Sequence, residues 1–281
     1  MKKFTLPFIT VLTTILMGCA SAGSHYELGM DDYQSGRLDE AMQEFQLSVS
    51  ANPMDPEAHN SLGDVYADKD MLVDAAAEWE TALKLQPSFS DAGSRLVAAY
   101  LTLGKESCDK GKNQDAIQLW KRAIELDPDN MEAHKRLGFL YAEAGNVSQA
   151  IPELEYVAKK GTNDDAVYAK LGTAYFRKKR YEDAISTFEE LARIKPADGM
   201  IYNNIGSVYI KMRKYDDAIQ MLEEAVKLAP DKAAIYDNLG NAYYNKGLYK
   251  YARIQWTKAL KIEPLNKTAK NNIKILDQMG D

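Results

Sequence analysis

The sequence predicts an all-α chain, a solenoid of about seven helix-turn-helix repeats closed by a C-terminal capping helix. Three observations predict it. Pro53, Pro87, Pro128, Pro196, Pro230 and Pro264 are separated by 34, 41, 68, 34 and 34 residues, so one period of 34 runs through every gap but one, and that gap exceeds it by 7. Each proline closes an amphipathic run such as Ala82-Leu83-Lys84-Leu85-Gln86, which it stops because it has no N–H to continue the helix. Small residues recur in phase with the prolines, and a period in this range marks stacked helical pairs. With 281 residues, 46% apolar and 27% charged, the chain has the composition of a folded protein and not of a disordered, collagen-like or polytopic membrane chain.

The first element is an address. Lys2 and Lys3 precede an uncharged stretch from Phe4 to Met17 that is too short to span a bilayer comfortably. It ends in Leu16-Met17-Gly18-Cys19, which resembles the lipobox of bacterial lipoproteins. That resemblance implies a signal peptide over residues 1–18, Cys19 as the mature N-terminus and lipid attachment site, and a lipidated linker over 19–23. Multiple acyl chains would anchor the protein stably, at about 0.8 kcal/mol per buried CH₂. Ala20 follows the cysteine, and under the sorting rule this resembles, a residue other than Asp there favours the outer membrane. Lipidation of Cys19 would leave Cys108 as the only thiol.

The repeats occupy residues 24–266. Counting from residue 22, Leu28-Gly29, Leu62-Gly63, Leu137-Gly138, Leu171-Gly172, Ile205-Gly206 and Leu239-Gly240 stand at repeat positions 7 and 8. Position 11 holds Tyr66, Tyr141, Tyr175, Tyr209 and Tyr243, and position 20 holds Ala in all seven copies, from Ala41 to Ala252. Position 24 holds Phe45, Trp79, Trp120, Leu154, Phe188, Leu222 and Trp256. These columns resemble the tetratricopeptide repeat (TPR) family, which implies a right-handed superhelical solenoid. Physically, Gly at 8 and Ala at 20 let the two helices of a repeat approach closely, and the bulky residues at 11 and 24 are expected to fill the space between repeats.

Three departures stand out. The first repeat has Asp32 where tyrosine is expected. The fourth has Thr162 in place of the terminal proline and Pro152 inside its second helix. The third carries seven extra residues, and two registers fit it: Leu96 with Tyr100, or Leu103-Gly104 with Ser107. Seven residues are nearly two turns, so both keep one face apolar, and a first helix lengthened near Asp91–Lys110 is expected. Residues 267–281 continue the pattern through Ala269, Ile273, Leu276 and Met279 as the capping helix.

Catalytic chemistry finds no motif. His25, His59 and His134 all stand at position 4, where Tyr168, Tyr202 and Tyr236 stand in later repeats, which reads as packing and not metal ligation. Glu189-Glu190 and Glu223-Glu224 read as a solvated face. No phosphate loop, nucleophile elbow or Cys-x-x-Cys is present, so neither an enzyme nor a cofactor is expected. A formal charge of −6 argues against nucleic acid. The charge is polarised: residues 19–89 hold 3 basic and 14 acidic side chains, and residues 90–281 hold 30 and 27.

At 100° per residue, positions 2, 6, 9 and 13 of each first helix point away from the packed side and are expected to line the concave groove. The early repeats offer Glu27, Glu57, Asp64 and Asp68. The middle offers Arg136, Phe139, Lys170 and Arg177, a basic patch similar to part of the family's carboxylate clamp. The end offers Asn204, Ser207, Lys211, Asn238, Asn241 and Asn245, with Asn272 on the cap. Asparagine is a poor helix former, so its recurrence suggests a ladder of amides for the backbone of an extended peptide. The expected function is a membrane-anchored TPR scaffold in the periplasm. It would bind a protein or peptide partner in its groove and recruit or assemble a cell-envelope complex of pilus or secretion type. The rival is a structural subunit of an export or surface-polysaccharide machine that uses its convex face. One test of the address is direct: Cys19→Ser should block acylation and leave unprocessed precursor, whereas persistent palmitate labelling would sink the lipobox reading.

Overall fold

A computed structural model describes residues 8–279, with side chains from residue 21 onward. The signal peptide expected over residues 1–18 and the acylation of Cys19 lie outside the described side chains. Every regular element among the described residues is a helix: α1 (Phe8–Gln34), α2 (Leu38–Ala51), α3 (Pro56–Asp68), α4 (Leu72–Leu85), α5 (Ser90–Asp109), α6 (Asn113–Leu126), α7 (Met131–Glu143), α8 (Val147–Lys159), α9 (Asp165–Arg177), α10 (Tyr181–Ile194), α11 (Gly199–Lys211), α12 (Tyr215–Leu228), α13 (Ala233–Asn245), α14 (Tyr249–Ile262) and α15 (Lys267–Met279). That is fourteen repeat helices and a cap, as the period demands. No helix among them is long and apolar enough to cross a membrane. The chain divides into two compact units, residues 1–133 and 134–281.

Within a repeat the helices meet at one contact. The side chain at position 24 lies directly on the glycine at position 8, sixteen residues earlier. A Cβ on Gly172 would come within 2.6 Å of Phe188, one on Gly63 within 2.7 Å of Trp79, and one on Gly240 within 2.4 Å of Trp256. The position-24 residue therefore closes its own repeat, and it also meets the next one as expected: Phe45 clusters with Leu62 and Val65, and Leu222 with Ile235 and Leu239. Position 20 is fully buried in all seven copies. Position 7 packs on the preceding repeat. Leu62, Leu171 and Leu239 are buried there, whereas Leu28, with no repeat before it, is 49% exposed.

In three repeats the tyrosine at position 11 bridges to the preceding second helix, at position 25. Tyr66 accepts a hydrogen bond from Gln46 (2.9 Å), Tyr175 donates to Glu155 (2.6 Å) and Tyr243 donates to Glu223 (3.0 Å). Burial, followed by the bonded carboxylate, pushes the Tyr243 hydroxyl up to about 12 and that of Tyr175 upward as well. In Glu223-Glu224 the first acid thus ties two repeats together, while the second pairs with Lys227 on its own helix (2.8 Å).

The seven extra residues make α5 twenty residues long, where the other first helices from α3 to α13 have thirteen. Both registers are used at once. The front of α5 packs on the preceding repeat through Leu96 and through Tyr100, whose hydroxyl donates to Glu80. The back packs on its own partner, with Gly104 under Trp120 and the indole N–H reaching the Leu101 carbonyl at 3.4 Å. Leu101 stands to Trp120 as Asp237 stands to Trp256, whose N–H bonds the Asp237 carbonyl at 3.2 Å.

The turn inside each repeat has one solution. The residue at position 15 adopts positive φ in all seven copies: Gly36, Asp70, Gly111, Gly145, Lys179, Arg213 and Gly247. The next N–H then bonds back five residues, as from Arg180 to the Tyr175 carbonyl (2.9 Å) and from Lys214 to that of Tyr209 (2.9 Å). This is the left-handed helix end that favours glycine. Between repeats, Asp55, Asp164 and Asp198 cap the following first helix with their side chains.

The position-4 column does more than pack. Each histidine Nδ1 meets a glutamate at position 23 of its own repeat: His25 with Glu44 (2.7 Å), His59 with Glu78 (2.6 Å) and His134 with Glu153 (2.6 Å). Where position 4 is tyrosine, position 23 is Thr187, Met221 or Gln255. The outer tip does the same work in both cases. His59 Nε2 faces the Pro53 carbonyl (3.1 Å), and the hydroxyls of Tyr168 and Tyr202 donate to the carbonyls of Thr162 (3.1 Å) and Pro196 (3.4 Å). Thr162 therefore replaces the missing proline in its structural task.

Two outcomes follow from these columns. Lys179→Gly and Arg213→Gly should each raise unfolding free energy in urea by about 0.5–1 kcal/mol, because relief of left-handed strain outweighs glycine's chain entropy. His59→Tyr should lower it by about 1–2 kcal/mol by leaving Glu78 without its partner. The double change His59→Tyr with Glu78→Thr should recover most of that loss, and a double variant no better than the single one would refute the coupling.

Candidate functional site

The face built by first helices is where the sequence places its binding residues. The structure shows that most of this face is first used to hold repeats together. Position 6 of one repeat meets position 9 of the repeat before it, 31 residues earlier. In the first unit, Arg95 bonds Asp64 (3.1 Å) and Ser61 lies against the Met30 sulfur (4.0 Å). In the second unit, Lys170 sits over the Phe139 ring (5.0 Å), Asn238 donates to Ser207 (3.1 Å) and Asn272 donates to Asn241 (3.0 Å).

The amide chemistry is accordingly turned inward. Asn238 also donates to Asn203 (2.8 Å), a residue only 5% exposed that sequence periodicity did not single out. Ser207 donates to the Asn203 carbonyl (2.8 Å), and Asn245 donates to the Asn241 carbonyl (2.7 Å). Asn238 and Asn272, which the helix scale penalises, are thus bonded to the neighbouring repeat, as a partly buried amide must find partners. The signal for Asn203 was present in the sequence: it is polar at a position next to the groove column, one residue from Asn204.

The cations divide in two. Lys170 pairs with Glu143 (2.8 Å) as well as with Phe139, so its charge is compensated. Arg177 is exposed and forms no ion pair among the described residues, and the same holds for Lys211 one repeat later. Asn204, half-buried between them in sequence, makes no side-chain hydrogen bond there. Arg136 and Phe139 are half-buried on α7. Ala142, Glu143, Lys170, Thr173 and Arg177 line a cleft of about 350 Å³ between α7 and α9. What this face offers a ligand is a short series of unspent groups, Arg177, Asn204 and Lys211, beside a cleft walled by Lys170.

The early acidic residues lie in the first unit. Asp64 is held by Arg95 and by the Trp79 indole N–H (3.0 Å), and Asp68 accepts from the Tyr33 hydroxyl (2.7 Å). Glu27 and Glu57 are exposed. Among the described residues no three His, Cys, Asp or Glu side chains gather as a metal would require, and Cys108 is half-buried and in no disulfide there.

Comparisons with known proteins agree with this geometry. Residues 29–70 and 104–145 match the family profile described as TPR repeat, and residues 134–270 match that described as Psidin, N-terminal TPR repeats region. No curated protein matches the chain. Among solved structures it is similar to a MamA protein, at 28% identity and a TM-score of 0.57, covering 60% of this chain and 92% of that one. It shares the fold of the C-terminal part of a TPR repeat-containing protein from Cytophaga hutchinsonii (22% identity, TM-score 0.52, 88% of this chain and 98% of that one). It also shares the fold of YrrB, a TPR protein with an unusual peptide-binding site (16% identity, TM-score 0.50, 82% and 97%). TPR proteins bind protein or peptide partners, and with its columns, its helix pairs and both repeat profiles in agreement, this chain is a member of the TPR family and a scaffold for protein–protein interaction.

Proposed function

We propose that the protein is a membrane-anchored adaptor that holds a protein or peptide partner on the first-helix face of its second unit and thereby recruits or assembles a cell-envelope complex. The observation that carries this reading is the unspent series Arg177, Asn204 and Lys211, which stands among residues otherwise committed to their neighbours. An unpaired guanidinium and ammonium one repeat apart favour an acidic segment, and the Asn204 amide can both donate to and accept from its backbone. Lipobox chemistry at Leu16-Met17-Gly18-Cys19 supports the anchor, and Ala20 supports the outer membrane with the repeats facing the periplasm. The amides of Asn238, Asn241, Asn245 and Asn272 shape this face and contribute to the partner only through acceptor oxygens and N–H groups that remain.

The test begins with crosslinking in cells carrying the intact lipoprotein, which identifies the partner. Arg177→Glu with Lys211→Glu should then weaken binding by about 2–4 kcal/mol with the fold intact, mostly through charge-assisted hydrogen bonds. Asn238→Ala should act mainly on stability, because it removes bonds to Asn203 and Ser207. If the charge reversals bind like wild type while changes on exposed second-helix residues abolish binding, the structural-subunit reading takes its place.

A further inference from the structure

The lengthened α5 creates a feature that the other repeats lack. Its partner α6 pairs in the register that sets Gly104 under Trp120, and in that register Val97 is the first repeat position. Residues 90–96, about 10 Å of helix, therefore run past the end of α6. Beside this overhang lies a notch of about 640 Å³, floored by Leu83, Phe89, Gly93, Val97, Leu101 and Leu126. Gly93 and the exposed Ala98 keep its wall low, and Leu126 is 42% exposed to it. Its rim is hydroxylic and uncharged apart from Asp127.

Phe89 also forms a wall of a second, smaller pocket of about 260 Å³, so the two share an edge. This pocket has aromatic and thioether sides from Tyr26, Tyr33 and Met30, and carboxylates from Glu57, Asp64 and Asp91. Arg95 offsets Asp64, but Glu57 and Asp91 form no ion pair among the described residues. Burial raises the Asp64 carboxyl above its ordinary range against the opposing pull of Arg95 and the Trp79 indole, with smaller upward contributions from Asp68 and Asp91. The stretch that contributes most of this pocket, residues 19–89, holds 3 basic against 14 acidic side chains.

We propose that this surface of the first unit docks a partner-protein segment in which a basic side chain stands near an apolar one. The apolar residue enters the notch beside α5, the cation enters the acidic pocket, and Phe89 separates them. An apolar floor gives the anchor, and tyrosine faces beside carboxylates suit a guanidinium or ammonium group. The surplus of negative charge excludes an anionic lipid surface as occupant and selects a basic segment. The site is independent of the second-unit face, which favours an acidic segment.

The test uses the full chain in detergent micelles and photo-crosslinking peptides. Each peptide carries benzoylphenylalanine as its apolar residue and an arginine one to four glycines away. Adducts are expected on α5 and on residues 83–89, for at least one spacing. Their yield should fall at least about fivefold when the arginine is replaced by glutamate, and by as much with the original peptide on a Glu57→Lys, Asp91→Lys chain. Ala98→Trp, which fills the notch from an exposed position, should lower it likewise. Should that variant unfold by circular dichroism, the charge variant decides alone, since both of its sites are exposed. Adducts confined to the second unit, yields indifferent to the arginine, or no adduct at any spacing would each overturn the proposal.

Discussion

The contact between a glycine and a bulky side chain sixteen residues later is the constraint on which this structure rests. It sets the distance between the two helices of each repeat, and everything else is arranged around that distance. A Cβ on any of these glycines would collide with a side chain that is itself buried, so the pair can move only together. Once the spacing is fixed, position 20 must be alanine, position 7 must be an aliphatic residue reaching the previous repeat, and position 11 can reach a carboxylate on its second helix. Even the seven-residue lengthening of α5 respects the rule, because the helix is long enough to satisfy one register at its front and the other at its back.

Much of this was legible in the sequence. The prolines gave the period, and the Gly, Ala and aromatic columns gave the helix pairs. Side-chain direction at 100° per residue placed the groove residues on one face. What periodicity could not reveal was which polar groups on that face were already engaged. Asn238 and Arg177 look alike as groove residues in a sequence, but one has partners 31 and 35 residues earlier and the other has none among the described residues. Pairing across repeats depends on lateral distance between helices, which a single helical wheel does not contain. The turn residue at position 15 was in plain view as a column of four glycines with Asp70, Lys179 and Arg213, yet only the backbone angles give those three a common cause.

The histidines illustrate a related point. Read as one column, His and Tyr at position 4 seem interchangeable, and their outer tips do perform one task. Read as two columns, they are not, since glutamate at position 23 accompanies every histidine and no tyrosine. The second column was available from the sequence but lies nineteen residues away on another helix, where nothing in the local pattern directs attention to it.

These couplings differ in whether they lie inside a repeat or across a junction, and that determines how such a chain can grow. The histidine–glutamate pair and the glycine contact travel intact with any 34-residue block that is copied. The links from position 6 to position 9 and from position 11 to position 25 are remade with whatever neighbour arrives. A tandem copy of residues 199–232 would set Asn204 beside Ser207 and Tyr209 beside Glu223, both matched to the new junction. A copy of residues 22–55 would set Glu27 beside Met30 and Asp32 beside Gln46, and would lose the tyrosine bridge. The interior of the second unit is thus the part of the molecule from which longer versions can arise by duplication, while the first repeat is suited only to stand at an end.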